Sequence, residues 1–172
     1  MAILTLEDAK QHLKVDTDDR DDEIVRLIAA AERAIERTTR LVPTRRAVSF
    51  AFASFAPELV LSLAPIAAET VAIRFLDAVG DEQTVSPADF RVVPFEGVTR
   101  LVPAIGKSWP QVASAQGAVR VDAEAGFDFP DTMPAALVHA ARLMIGAWFD
   151  GASESALKVA ADLLELERLI IA

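Results

Sequence analysis

A chain of 172 residues in which 52% of side chains are hydrophobic is long enough for one domain, or one domain carrying an insertion, and should bury roughly 70% of its unfolded surface. The absence of cysteine excludes disulfides and thiolate metal sites and suits a cytosolic product. No apolar run approaches the ~20 residues of a membrane helix, and the start MAILTLEDAK lacks the basic and apolar regions of a signal peptide.

The stretch from Leu4 to Arg40 reads as a short helix, an acidic loop and a long helix. Thr5 is a suitable N-cap, with Glu7 and Asp8 where the helix dipole favours negative charge. Leu6, Ala9 and Leu13 share one face. The acidic run Asp16 to Glu23 ends this helix and is expected to cap the next. There Ile24, Leu27, Ile28, Ala31 and Ile35 form an apolar stripe, and Arg33, Arg37 and Arg40 load the C-terminal end with the charge the dipole prefers. Ala29, Ala30, Ala31 and Ala34 keep the helix slim, so a neighbour can approach closely.

After Pro43 the period changes to two. Val48, Phe50 and Phe52 alternate with small or polar residues, as do Leu59, Leu61 and Leu63, and then Val71, Ile73 and Phe75 with Arg74 facing away. Turns at Asp77–Asp81, Ser86–Asp89 and Glu96–Gly97 separate further strands at Phe90–Val93 and Val98–Val102. Pro103 to Gly117 is loop-like, and Val119 and Val121 mark a sixth strand. Short strands with tight turns point to an antiparallel sheet or small barrel. Helical period returns after Pro130. Pro134 suits a first helical turn, Leu137, Ala141, Met144 and Trp148 lie on one face, and Asp150-Gly151 ends the helix. Ser153 can cap the last helix. That helix carries two apolar stripes, Val159, Leu163, Leu166 and Ile170 on one side and Leu157, Ala161 and Leu164 on the other. The first is assigned to the chain's own core, leaving the second for a partner.

The net charge of −9 is unevenly placed: residues 1–46 hold 9 basic and 10 acidic side chains, whereas 47–172 hold 8 and 16. A phosphate-gripping protein normally shows the opposite balance. Two readings follow, an ordinary acidic soluble protein or a surface that lets DNA pass without sticking. Arg37, Arg40, Arg45 and Arg46 form the basic cluster. The helix C-terminus accounts for half of it, and an acidic neighbouring subunit is a better partner for the rest than DNA phosphate, because no aromatics are interleaved.

Catalytic and metal motifs are missing. Asp16-x-Asp18-x-Arg20-Asp21 fails as a calcium loop, since its fifth, sixth and twelfth positions are Arg20, Asp21 and Leu27. His12 and His139 lack partners at zinc-ligand spacing. The glycines form no phosphate-cradling or dinucleotide fingerprint, and no serine stands in a nucleophile elbow. The sequence reads as a non-enzyme without metal or cofactor.

The order of these features resembles the head–tail connector (adaptor) proteins of long-tailed phages and gene transfer agents. The resemblance is carried by Thr5-Leu6-Glu7 with Ala9-Lys10, His12-Leu13, Val15-Asp16, Leu27 to Ala31 and Glu36 to Arg40. It continues through Leu101-Val-Pro103, Trp109-Pro110, Ala125-Gly126-Phe127 and Met133-Pro134 with the helix Ala136 to Phe149, and Leu163-Leu164 with Arg168 echoes a leucine-rich ending. Thr39 stands where a helix-ending glycine is commoner, Met133 replaces a usual valine, and Phe149-Asp150-Gly151 departs from a tyrosine-and-arginine ending.

The expected fold is α+β: a helical bundle from both chain ends (residues 1–45 and 127–172) with an inserted antiparallel β region (46–126), all in one adaptor domain. The resemblance implies a structural virion protein in the neck between capsid and tail, assembled in the bacterial host cytoplasm. It would form a dodecameric ring docked on the portal protein and offer a platform to a stopper or tail-completion protein. DNA would pass through its channel without specific binding, and no membrane is involved. Portal contacts are expected at Leu157, Leu164, Leu169, Ile170 and Ile171, and channel-facing acids at Asp150, Glu154 and Asp162. The alternative is a soluble α+β binding module or small homo-oligomer with no viral role.

Overall fold

The computed structural model describes residues 2–95, 97–128, 132–151 and 154–169. The architecture is α+β, with helices towards both chain ends and antiparallel strands between. Two compact units are present, one from Met1–Arg45 with Phe127–Ile170, the other containing Arg46–Gly126.

The helical unit contains α1 (Leu6–Leu13), α2 (Asp21–Thr39), α3 (Ala135–Phe149) and α4 (Glu154–Leu166). Thr5 caps α1 as the sequence predicts. Its hydroxyl accepts the Asp8 N–H at 3.0 Å and the Asp8 carboxylate accepts the Thr5 N–H at 3.3 Å, satisfying two amides that the first turn leaves without helical partners. The Thr5 hydroxyl and amide hold the Asp8 carboxyl below its usual range. Ile24, Ile28, Ala31 and Ile35 of the predicted α2 stripe are buried, with Leu27 half-buried.

Two details of α2 differ from expectation. Its N-cap is Arg20, which makes no side-chain capping bond, so Asp21, Asp22 and Glu23 support the first turn through the dipole alone. Its C-cap is Arg40 in the left-handed region at φ 66°. Thr39, fully buried, makes a non-glycine end workable. Its hydroxyl donates to the Ile35 carbonyl at 2.8 Å and accepts the Leu41 N–H at 3.0 Å, and its carbonyl accepts the Leu169 N–H at 3.0 Å. Glu32, midway along α2, accepts from the Ile3 N–H and the Thr44 hydroxyl, both at 2.7 Å, pinning the segments before α1 and after α2.

α3 is the most apolar helix and packs against α1, α2 and α4. Leu137, Ala141 and Met144 are buried as expected and Trp148 is half-buried; Ala140, Ile145 and Ala147 widen the buried face, as a helix covered on several sides requires. Pro134 occupies the N-cap, one position ahead of the first turn. Ser153 lies outside the described residues. The Arg20 guanidinium sits 3.7 Å from the centre of the Phe149 ring, tying the start of α2 to the end of α3.

The other unit contains β1 (Arg46–Phe52), β2 (Leu59–Leu61), β3 (Ala72–Leu76), β4 (Glu82–Thr84), β5 (Phe90–Phe95), β6 (Val98–Pro103) and β7 (Val119–Ala125). They form two antiparallel sheets, ordered β1-β7-β3-β4 and β2-β6-β5. Val121 lies opposite Phe50 and Ile73, and Val119 opposite Phe52 and Phe75. These cross-strand pairs form part of the core, to which Leu59, Leu61 and Leu101 add fully buried side chains from the second sheet. The seventh strand, β4, escaped the sequence reading because Glu82, Gln83 and Thr84 are all exposed and carry no apolar alternation. It is held instead by the Asp77 turn, where one carboxylate oxygen accepts the N–H groups of Val79, Gly80 and Asp81, each at 3.0 Å. Phe55 stacks on Trp109 at 4.7 Å between ring centres and meets Phe75 edge-on, fixing the long loop before β7.

Candidate assembly surfaces

Among the described residues, no metal-ligating cluster of side chains comes together: no group of three or more His, Asp or Glu residues able to hold a metal occurs. Part of the acidic loop after α1 is already paired with a cation. The Lys10 ammonium lies 2.6 Å from Asp18 and 2.8 Å from Asp21, and these two partners raise its pKa above the ordinary lysine value. The cleft beside it, lined by Glu7, Gln11 and Asp16, therefore holds a built-in cation. A second cleft, in the strand-containing unit, is lined by Ala53, Ser54 and Val112 to Gln116, with no titratable group. No helix among the described residues is long and apolar enough to cross a membrane.

What stands out is the outer surface of the helical unit. On α4 neither apolar stripe keeps its sequence assignment whole: Ala161 is exposed, as a partner face would require, and Leu163 is half-buried, but other positions are exchanged. Leu164, expected to face a partner, is 3% exposed, and Ala160 beside it is buried; Val159 and Leu166, assigned to the core, are 49% and 85% exposed. The reason is angular: the half-buried Ala156, Leu157 and Leu163 border a core face centred on Ala160 and Leu164, and Val159 and Leu166, seven residues apart, fall outside it. Leu169 is half-buried beyond α4, its N–H bound to Thr39, while Ile170 and Ile171 lie outside the described residues.

The acids Asp150, Glu154 and Asp162 are all exposed. Asp150 caps the end of α3 near Arg20. Glu154 and Asp162 stand on the outer face of α4 with Lys158 between them. Glu165 is paired to Arg168 at 3.0 Å.

On α2, Arg26, Arg33, Arg37 and Arg40 are exposed. Their spacing of seven, four and three residues places them in one stripe, opposite the buried face. Arg33, Arg37 and Arg40 have no ion-pair partner among the described residues. The basic cluster read from the sequence therefore divides. Arg45 bonds to Asp128, and both Arg45 and Arg46 have further interactions, whereas Arg37 and Arg40 continue a stripe that begins at Arg26. Arg26 was the overlooked member, and Arg33 was read only as a complement to the helix dipole; the heptad spacing was visible, but only burial of the opposite face turns it into a surface.

The family described as "Phage gp6-like head-tail connector protein" matches residues 3–74. No curated protein matches the chain. Among solved structures, one similar chain comes from the neck of an empty GTA particle computed with C6 symmetry: 25% identity, TM-score 0.79, 99% of this chain and 91% of that one. Another, from the virion of a native gene transfer agent particle, is 28% identical with a TM-score of 0.77 over 99% and 91% of the two chains. A third, from the neck of a native GTA particle computed with C12 symmetry, is 25% identical with a TM-score of 0.76, covering 97% and 89%. The described fold, the family match over residues 3–74 and the likeness along nearly the whole chain converge: this chain is similar to the head–tail connector proteins of phages and gene transfer agents.

Proposed function

We propose that the chain is one subunit of a homo-oligomeric ring in the neck of a virion, docking on the portal and joining the DNA-filled head to a stopper, tail-completion protein or tail. The observation that carries this reading is the likeness over 99% of the chain to a protein from a particle neck computed with rotational symmetry. It supports a ring location more strongly than the family match alone, and it sets aside the alternative of a binding module with no viral role. The reading is non-enzymatic, with assembly in the bacterial host cytoplasm.

Portal docking is assigned to the C-terminal end of the chain, from Leu157 and Leu169 to Ile170 and Ile171; Leu164, buried in the chain's own core, drops out of that set. Burial of one exposed Leu or Ile side chain stabilises by about 1.5–3 kcal/mol, so a short apolar end can contribute substantially to docking. The channel wall is assigned an acidic character that repels phosphate during transit, with Asp150 as its candidate here. Particles produced without this chain should carry DNA-packaged heads that do not join tails, and adding the purified full chain should restore joining with ring density at the neck. Tail joining that proceeds normally without the chain overturns the reading.

A further inference from the structure

We infer that the arginine stripe of α2 in one copy docks on the outer face of α4 in the next copy, and that this contact is the repeating seam between subunits. The inference rests on the ring reading above and names the surfaces that would close it. Arg26, Arg33, Arg37 and Arg40 run about 21 Å along one side of α2 at 1.5 Å per residue. Arg33 and Arg37 are four residues apart, and Arg37 and Arg40 three. Like charges at those spacings repel and weaken an isolated helix. Arg26 feels the Glu23 carboxylate on its own helix, but Arg33, Arg37 and Arg40, without an ion-pair partner among the described residues, are improved by an external anionic surface. Arginine suits that role, because its weakly hydrated planar guanidinium forms paired bonds to carboxylates.

The outer face of α4 has the complementary character. Glu154 and Asp162 are exposed, and no described residue forms an ion pair with either. They flank Lys158 and lie beside the exposed Val159 and Leu166. A second observation points to the same two helices. In the helical unit, the exposed large apolar side chains among the described residues are Val25, on α2, and Val159 and Leu166, on α4. Both α2 and α4 pack on α3, and each turns its outer face away from that shared core. A closed ring needs two different patches on every copy, so that each subunit is gripped by one neighbour and grips the next. This assigns Glu154 and Asp162 to the seam instead of the channel wall. DNA is the less favoured occupant of the arginine stripe, given the chain's net charge of −9 and the lack of aromatics among these arginines.

The experiment is a charge swap between full-length chains, read by native mass spectrometry and electron microscopy, both alone and on portal-bearing heads. R33E/R37E cancels the positive charge of the stripe and puts carboxylates at its centre while the α4 face stays acidic, and E154R/D162R makes both patches basic. Each variant alone should lose rings and run at the 18.5 kDa mass of one chain. Mixed in equal amounts they should regain rings, because each reversed patch now meets its opposite, giving alternating rings with an even number of subunits. Rescue on mixing also proves that both variants fold. Should either lose its helical signal, R33Q/R37Q replaces it, with ring loss at a lower salt concentration than wild type as the expected result. Wild-type chain that forms no ring in either setting overturns the ring reading and the seam together. Rings from wild type and from R33E/R37E alike overturn the seam only, as do folded variants that fail to assemble when mixed. Normal rings from R33E/R37E whose particles lose their DNA would assign the stripe to nucleic acid.

Discussion

Arg74 and Arg120 face each other across β3 and β7, and Asp122 is the anion that makes this tolerable. Burial pushes the Asp122 carboxyl up, but hydrogen bonds from Arg74, Ser49 and Arg120 together outweigh it and leave the group below its ordinary value. A carboxylate with a depressed folded pKa contributes stability that is present above the unfolded pKa and lost as pH falls through the folded one. The Asp122 contribution should therefore be intact at neutral pH and fade below about pH 4. Asp122→Asn should cost about 1–3 kcal/mol at pH 7, seen as a lower denaturation midpoint, with the gap to wild type narrowing in acid. Ala31, fully buried on α2, gives a second residue-scale expectation. Ala31→Trp should destabilise by roughly 1–3 kcal/mol through overpacking, and an unchanged thermal midpoint would contradict the tight site described here. Thr5 was readable as a cap because its effect is local. Arg40 was not, since its left-handed backbone is held by Thr39 and by Leu169 from the far end of the chain.

Among the elements, α4 shows where sequence periodicity stops. Two apolar stripes run along it, and only the position of the covering helices decides which is core. Two substitutions separate them. Leu164→Ala should cost about 2–5 kcal/mol by leaving a cavity. Leu166→Ser should change the stability of the isolated chain by no more than about 0.5 kcal/mol; equal losses for both in chemical denaturation would contradict the observed orientation. Removing residues 169–172 tests the docking assignment directly. A folded subunit that no longer joins portal-bearing heads is expected, whereas unfolding or normal joining rules the assignment out. α1, α2 and α3 were legible because their apolar faces have the helical period, and the strands around Val48, Ile73 and Val121 because theirs alternate. β4 lacks any such face and is positioned by the Asp77 turn and its partner strand.

For the molecule as a whole, fold class and the likeness to head–tail connectors were within reach of the sequence, since both depend on the order of many modest features along the chain. The assembly surfaces were not, because a residue becomes a surface only when the opposite side of its helix is known to be covered. An acidic chain of this kind should not retain duplex DNA in a gel-shift experiment at about 0.15 M salt, where surviving affinity would require a concentrated basic site. The helical unit joins residues at the two ends of the chain, with Arg46–Gly126 between them. During synthesis, α1 and α2 therefore leave the ribosome about ninety residues before α3 can cover Ile24, Ile28 and Ile35. At roughly 5–20 residues per second that interval lasts about 5–18 seconds. For that time the nascent chain displays an apolar helix without its lid, so the order of translation gives the strand-containing unit the first opportunity to fold and leaves the helical unit to close last.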